Sequence, residues 1–205
     1  MAGGLLLDYF RRNLWQYLIL ILVFIVGLIL GDIQVSGLGD GTRSHLIKLI
    51  EQFAVTSSGA YGDGIKLLQD SVVQQVKMIG IVWFLGLTVV GVPLILGLIC
   101  ARGFSLGFTI GFLLEEKGRA GLLMALVTVL PQNLIFVPVL IAGAVFSFNF
   151  SIFVIRGRFR SGAELWQNFI IYTLLMAGVL VLCVLGAAVE AFLSPWLLNV
   201  VFNHP

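Results

Sequence analysis

Charged residues are scarce in this chain: Lys, Arg, Asp and Glu make up 11% of its 205 residues, against about 25% in a soluble globular domain. Hydrophobic residues make up 60%, and the mean hydropathy is +1.09. So much apolar surface has to face lipid, and the composition therefore predicts an integral membrane protein. The formal net charge is only +2, and there is no basic cluster with interleaved aromatic residues, which argues against nucleic acid as a partner.

Cysteine and histidine are equally rare, with two residues of each type. Cys100 and Cys183 lie in apolar runs and are interpreted as small hydrophobic residues rather than as a disulfide. His45 lies in a polar stretch and His204 is next to the last residue, and the sequence has no HExxH, no G-x-S-x-G and no paired Cys/His spacing. We therefore predict no catalytic residues, no metal site and no cofactor, and a protein that is not an enzyme.

Long apolar runs dominate what is present. A membrane-spanning helix needs about 20 mostly apolar residues, and the sequence predicts an all-α polytopic membrane protein with about five such helices, in a single domain over residues 1–205. The apolar segments are 14–30, 78–100, 103–114, 120–150 and 169–192. The first is interpreted as a retained signal anchor, since no A-x-A-like cleavage site follows it. The third covers only about 18 Å at 1.5 Å per residue, so it either spans a thinned bilayer or re-enters.

Arginine positions indicate the orientation. Cytoplasmic loops carry an excess of Lys and Arg, and the chain has arginine clusters before the first segment and between the fourth and fifth. The orientation that we predict puts the N-terminus in the cytoplasm and the C-terminus outside. On the cytoplasmic side it places Arg11, Arg12, Arg102, Arg156, Arg158 and Arg160. Adjacent Glu115 and Glu116 then lie at a tight outer turn, as a solvated pair.

The loop over residues 31–77 is the only sizeable part predicted outside the membrane. Apolar residues recur at helical spacing around 46–53 and 65–76, with a Gly- and Ser-rich linker between them. This pattern predicts two amphipathic helices at the outer interface, which either cover the ends of the spans or form a docking face for an extracytoplasmic partner. The candidate docking residues on the polar side are Lys48, Glu51, Lys66 and Asp70.

Three glycines, Gly103, Gly107 and Gly111, recur at four-residue spacing in the third segment. This spacing stacks them on one helix face and allows another backbone to approach closely. The partner helix is either in the same chain or in a second copy, so a homo-oligomer stays open.

A polar element interrupts the fourth segment. Pro131, Gln132 and Asn133 are followed by Pro138, and each proline removes a backbone donor and disfavours an unbroken helix. Amide side chains are costly against lipid, so Gln132 and Asn133 should face other helices or a wet cavity. They could serve as structural hydrogen-bonding groups or line a solute site.

These features resemble the stage II sporulation protein M family over essentially the whole chain. The resemblance is carried by the run ARGFSLGFTIGF at 101–112 and by LPQN at 130–133 with Pro138. Wider relatives tend to carry His-Gly after the first proline and an acidic residue near position 136, and this chain is more similar to the sporulation branch.

The resemblance implies a non-enzymatic scaffold in the mother-cell membrane at the division septum. It implies two membrane-anchored partners, a septal peptidoglycan lytic transglycosylase and an amidase/endopeptidase (stage II sporulation proteins D and P), which remodel the wall during forespore engulfment. The interrupted fourth segment keeps a second hypothesis open, a permease or channel-like subunit of a transport system paired with a separate ATPase.

Overall fold

The computed structural model describes residues 11, 13–39, 41–48, 64–88, 90–128, 130–157 and 162–202. All regular structure within these ranges is helical, as predicted. The helices are α1 (Leu14–Ser36), α2 (Gly64–Gly86), α3 (Gly91–Thr128), α4 (Leu130–Ile155) and α5 (Gly162–Phe202). Residues 41–48 are also helical.

Four stretches of these helices are long and apolar enough to cross a membrane: Leu14–Ser36, Gly91–Arg119, Asn133–Ile155 and Gly162–Ala187. A shorter apolar stretch, Ser71–Gly86, belongs to α2. Large apolar side chains point outward, as in Trp15, which is 78% exposed, while Ser147 and Ser151 are buried. Apolar side chains outside and hydrogen-bonded polar groups inside are the arrangement that lipid favours. The chain is therefore a polytopic membrane protein.

The boundary predicted between the second and third spans is wrong. The second predicted segment, 78–100, is divided, because α2 ends at Gly86 and α3 begins at Gly91. Pro93 is the third residue of α3, where its missing N–H is not needed. The third predicted segment, 103–114, is the middle of α3, so the chain continues as one helix through Arg102. The prediction that Arg102 lies in a cytoplasmic loop between two spans is therefore wrong.

A sharp reversal ends the long straight part of α3 at Gly118. Its backbone has φ 55° and ψ −132°, a conformation that L side chains rarely adopt. A Cβ added at Gly121 would meet the carbonyl oxygen of Leu113, so the helix after the reversal packs back on the turn before it. The predicted fourth segment, 120–150, is therefore shared between the end of α3 and α4.

The predicted interruption of the fourth helix is not at Pro138. The α-helix α4 contains this residue in its interior. Pro131 is the second residue of α4, and a first-turn proline leaves no helical hydrogen bond unmade. Residue 129, between the bounds of α3 and α4, lies outside the described residues.

The second amphipathic helix predicted in the 31–77 loop is not a separate element, because residues 65–76 are the beginning of α2. The inward face of α2 includes Gln75, Ile79 and Val82, whereas Val76 is exposed. The first predicted amphipathic helix, around 46–53, lies only partly within the described residues, which are helical over 41–48.

Contacts between helices fix their directions. Gly27 and Gly31 of α1 lie against Cys100 and Phe104 of α3, so these helices run parallel. A parallel pair requires the chain to return between α1 and α3, and α2 is the described part of that return. The N-terminal end of α1 lies beside the C-terminal end of α4, since Gln16 Nε2 donates to Asn149 Oδ1 over 2.8 Å.

Helix α5 runs antiparallel to α4, with Gly186 beside Ile135 and Val179 beside Gly143. Buried hydroxyls join these two helices to α2. Tyr172 donates to the carbonyl of Trp83 over 2.8 Å, and its oxygen lies 2.9 Å from Ser147 Oγ.

Ser147 in turn donates to the carbonyl of Val82 over 3.1 Å, and Ser151 donates to the carbonyl of Thr88 over 2.9 Å. These bonds tie α4 to the end of α2 and to the turn that follows it, where the carbonyl of Thr88 also accepts from the N–H of Gly91.

Candidate functional site: a glycine-packed helix pair beside a polar cavity

The glycine face of α3 lies directly on α1. A Cβ added at Gly103 would meet the carbonyl oxygen of Phe24, and one added at Gly107 would meet that of Leu28. Gly111 lies beside Asp32, near the C-terminal end of α1. Backbone meets backbone along this face, and the partner is a helix of the same chain.

Glycines of α1 complete the contact from the other side. A Cβ at Gly27 would meet the carbonyl oxygen of Cys100, and one at Gly31 would lie 2.7 Å from the amide nitrogen of Phe108. This half of the contact was not predicted from the sequence. The available signal was the spacing of Gly27 and Gly31, a small-xxx-small pattern inside the first apolar run.

Beside the glycines, three phenylalanines form a ladder on α3. The ring centroids of Phe104 and Phe108 are 6.2 Å apart, and those of Phe108 and Phe112 are also 6.2 Å apart, with nearly parallel planes. Four-residue spacing places these rings one above the other, next to the face that contacts α1.

Arg102 is a half-buried cation in the interior of α3. Its neighbour Gly103 packs on Phe24, midway along α1. The guanidinium donates from Nη2 to Asn133 Oδ1 over 3.1 Å and lies 4.9 Å from the centroid of the Phe136 ring. A cation held by an amide and an aromatic face is less costly to place at membrane depth than an unpartnered one.

Arg102 also borders a partly enclosed cavity of about 210 Å³ between α2, α3 and α4. Its lining consists of Gln74, Gln75, Lys77, Met78, Ile81, Arg102 and Phe136. Gln75 is only 5% exposed, and its Oε1 has no hydrogen-bond partner among the described residues, nor does Arg102 Nε. The cavity thus combines two cations and an under-used amide with an apolar wall.

Of the predicted polar element, one residue, Asn133, is shown to lie beside this cavity. Asn133 contacts Arg102, as described, and so faces another helix beside a polar space. Pro131 lies in the first turn of α4. Pro138 lies in the middle part of the same helix, and its side chain is exposed. The side chain of Gln132 is not among those described. Arg102 was predicted to lie in a loop, and its contact with Asn133 was therefore not predicted.

A second polar cluster lies where the Gly118 reversal meets the C-terminal end of α1. Arg43 forms ion pairs with Glu115 and Glu116, the latter over 2.7 Å from Nε to Oε1. Ser36 Oγ donates to Glu115 Oε1 over 3.1 Å. The two glutamates were predicted to be a solvated pair. In the structure they also connect helical residues 41–48 to α3 through Arg43. Such partly exposed pairs contribute at most about 1 kcal/mol each.

The candidate docking residues lie at the edge of what the structure describes. Lys48 is exposed at the end of helical residues 41–48. Lys66 and Asp70 are in the first turns of α2, without described side chains, and Glu51 lies outside the described residues. Apart from Lys48, the predicted docking face therefore lies outside the described side chains, and it stays a prediction.

No group of three His, Cys, Asp or Glu side chains that could hold a metal ion occurs within the described ranges. Cys100 and Cys183 are free thiols on α3 and α5.

In a comparison with known families, the family model described as Stage II sporulation protein M matches residues 20–195. This range begins within α1 and ends within α5, so it includes the glycine-packed pair and the residues that line the cavity. The searches of curated proteins and of solved structures gave no match.

Proposed function

Since the chain belongs to the stage II sporulation protein M family, we propose that this sporulation-related membrane protein is a non-enzymatic scaffold for septal peptidoglycan hydrolases. In this proposal it lies in the mother-cell membrane at the division septum and holds a lytic transglycosylase and an amidase/endopeptidase there. They thin the septal wall so that engulfment can proceed. The observation that carries the proposal is the family match over 20–195.

The helix packing supports a scaffold, because a scaffold needs a fixed shape. Helices α1 and α3 are in backbone contact at Gly27, Gly31, Gly103 and Gly107. Interdigitated backbones at such close range leave little freedom for the two helices to slide. The pair forms a rigid side of the bundle from which partner positions could be set.

We further propose five crossings with a cytoplasmic N-terminus. The parallel direction of α1 and α3 supports α2 as the return crossing, although its apolar part is short. Arg11 precedes α1, and Arg156 follows α4 at the same end of the bundle, where Gln16 meets Asn149. The positive-inside rule assigns that end to the cytoplasm. The ion-paired cluster of Arg43, Glu115 and Glu116 then faces the cell wall.

Partner recruitment is proposed for the extracytoplasmic surface around Lys48, Glu51, Lys66 and Asp70, where the catalytic domains of wall hydrolases would lie. Charged side chains at the rim of an interface mainly set specificity and association rate. Reversing all four charges should therefore weaken partner recovery without unfolding the bundle, because exposed substitutions usually change stability by only about ±0.5 kcal/mol.

The experiment is co-purification of a tagged chain from solubilised sporulating cells, with identification of the recovered proteins. Wild type should recover both hydrolases, and the four-charge reversal should recover less of at least one. Arg156→Glu, at the opposite end of the bundle, is the matched control and should recover both. Recovery of neither hydrolase by wild type, under conditions that keep the bundle folded, contradicts the scaffold proposal.

A permease or channel-like subunit is the second candidate, and the cavity bordered by Arg102 favours it, because interrupted elements and polar groups at membrane depth often line solute sites. The two functions predict different partners. A transport subunit should co-purify with an ATPase instead of wall hydrolases, and Arg102→Gln should abolish its activity. A scaffold should still recover both hydrolases when it carries Arg102→Gln.

A further inference from the structure

The cavity between α2, α3 and α4 is positively charged. Its lining includes Lys77 and Arg102, and none of the described residues that line it is acidic. Within the described residues, the Arg102 guanidinium donates to the neutral amide of Asn133. A guanidinium presents its donors in a planar fork that matches phosphate and carboxylate oxygens. The charge of the cavity therefore suits an anionic group.

Hydrogen-bonding capacity in the cavity exceeds what its protein neighbours use. Arg102 Nε is buried and has no partner among the described residues, and the same holds for Gln75 Oε1. Buried polar atoms are nearly always hydrogen-bonded in folded proteins. A ligand that accepts at Arg102 and donates a hydroxyl to Gln75 would satisfy both atoms.

The apolar part of α2 is too short to match a bilayer of full thickness, which lets lipid head groups approach the depth of the cavity. This apolar part, Ser71–Gly86, contains Gln74, Gln75 and Lys77, and its sixteen residues cover about 24 Å at 1.5 Å per residue. The hydrocarbon core of a bilayer is about 30 Å thick, so lipid has to thin beside α2. Lipid head groups are thereby drawn towards the cavity.

We propose that this cavity binds the phosphate head group of an anionic glycerophospholipid. The phosphate lies between the Arg102 guanidinium and the Lys77 ammonium, and a head-group hydroxyl donates to Gln75 Oε1. The apolar wall formed by Met78, Ile81 and Phe136 receives the glycerol backbone and the beginning of the acyl chains. This site is independent of the scaffold proposal, because it requires no second protein.

The test is native mass spectrometry of the full chain in non-ionic detergent, with titration of phosphatidylglycerol. Zwitterionic phosphatidylcholine and inorganic phosphate are titrated in parallel, to separate an anionic lipid from a lipid in general and from free phosphate. The variants are Arg102→Gln and Lys77→Gln, and Arg156→Gln at the other end of the bundle is the matched control. Lys77 and Arg156 are both exposed, so neither of these substitutions should disturb folding.

We expect phosphatidylglycerol to bind wild type and the Arg156→Gln variant equally, and more tightly than phosphatidylcholine. Lys77→Gln should weaken binding about fivefold, the effect of roughly one basic residue at a lipid surface. Arg102→Gln should weaken binding more than about tenfold, because a buried hydrogen-bonded charge contributes more than a rim charge.

Three outcomes of the titration overturn the proposal: equal affinity for the two lipids, an unchanged affinity in the Lys77→Gln variant, or binding of inorganic phosphate without binding of the lipid. The proposal would also be overturned if a membrane-anchored protein, rather than a lipid, bound to the chain through Arg102. The cavity would then bind a carboxylate of that partner.

Discussion

Gly107→Ala is expected to push α3 away from α1, because the added methyl group has no room. A Cβ at this position would lie 2.7 Å from the carbonyl carbon of Leu28 and 2.9 Å from its Cα. Carbon atoms in ordinary contact are about 3.5–4.0 Å apart, so the helices have to separate by about 1 Å. The obstacle is backbone, which cannot rotate away as a side chain could.

The cost follows from the contacts that this separation weakens. A gap of 0.5–1 Å forfeits a quarter to a half of each dispersion contact, and each contact is worth about 0.1–0.2 kcal/mol. If the paired glycine faces make about 40 such contacts, as a buried leucine does, the loss is about 1–4 kcal/mol. Gly107→Leu should cost more, because a larger side chain has to fit between the same two backbones.

Gly97→Ala is the matched control on the same helix. A Cβ at Gly97 would have nothing within 4 Å, so the change should be neutral or stabilising by up to about 1 kcal/mol through helix propensity. Phe108→Leu, on the neighbouring ladder, should have a small effect. The assay is the unfolding midpoint of each variant in mixed micelles titrated with denaturing detergent. Equal midpoints for Gly107→Ala and Gly97→Ala would refute close backbone packing as the reason for these glycines.

Three further predictions concern the bundle interior, the topology and the chemistry. Tyr172→Phe should destabilise the protein by about 1–3 kcal/mol, because the buried carbonyl of Trp83 loses its donor; thermal unfolding in detergent measures this, and no shift would mean that water replaces the hydroxyl. In intact cells an impermeant thiol reagent should label Ser58→Cys and spare Ser161→Cys, and the reverse pattern would contradict the proposed orientation. Rigorously purified protein should release no fragments from septal peptidoglycan, and release of muropeptides would end the non-enzymatic interpretation.

The sequence was sufficient for the helical class and for membrane residence, because lipid exposure leaves an unmistakable excess of apolar residues. It was also sufficient for the glycine face on α3, since four-residue spacing fixes which residues share a helix face. The predictions that were wrong concern residues whose free energy depends on contacts with residues distant in the sequence. Arg102 was assigned to a loop because an isolated charge is costly in a bilayer, and its partners, Asn133 and Phe136, are more than thirty positions away.

Local signals misled at two other places. Pro138 predicted a break that α4 does not have, because prolines within membrane helices are tolerated where neighbouring groups compensate. The apolar periodicity around residues 65–76 predicted a separate amphipathic helix at the outer interface. In the structure Gln75 faces the interior and Val76 faces outward, because lipid, rather than water, surrounds this helix.

The parallel pairing of α1 and α3 has a consequence for synthesis. Gly31 and its contact at Phe104 are separated by roughly 70 positions, which a ribosome takes about 4–15 s to translate at 5–20 residues per second. During that interval α1 is already in the membrane with its small-residue face open to other helices. A helix that binds this face of α1 during the interval has to dissociate before α3 can pack there. If it stays bound, α3 is excluded from its native position. A separately expressed α1 could therefore compete with the native one for α3, and act as a dominant inhibitor of assembly.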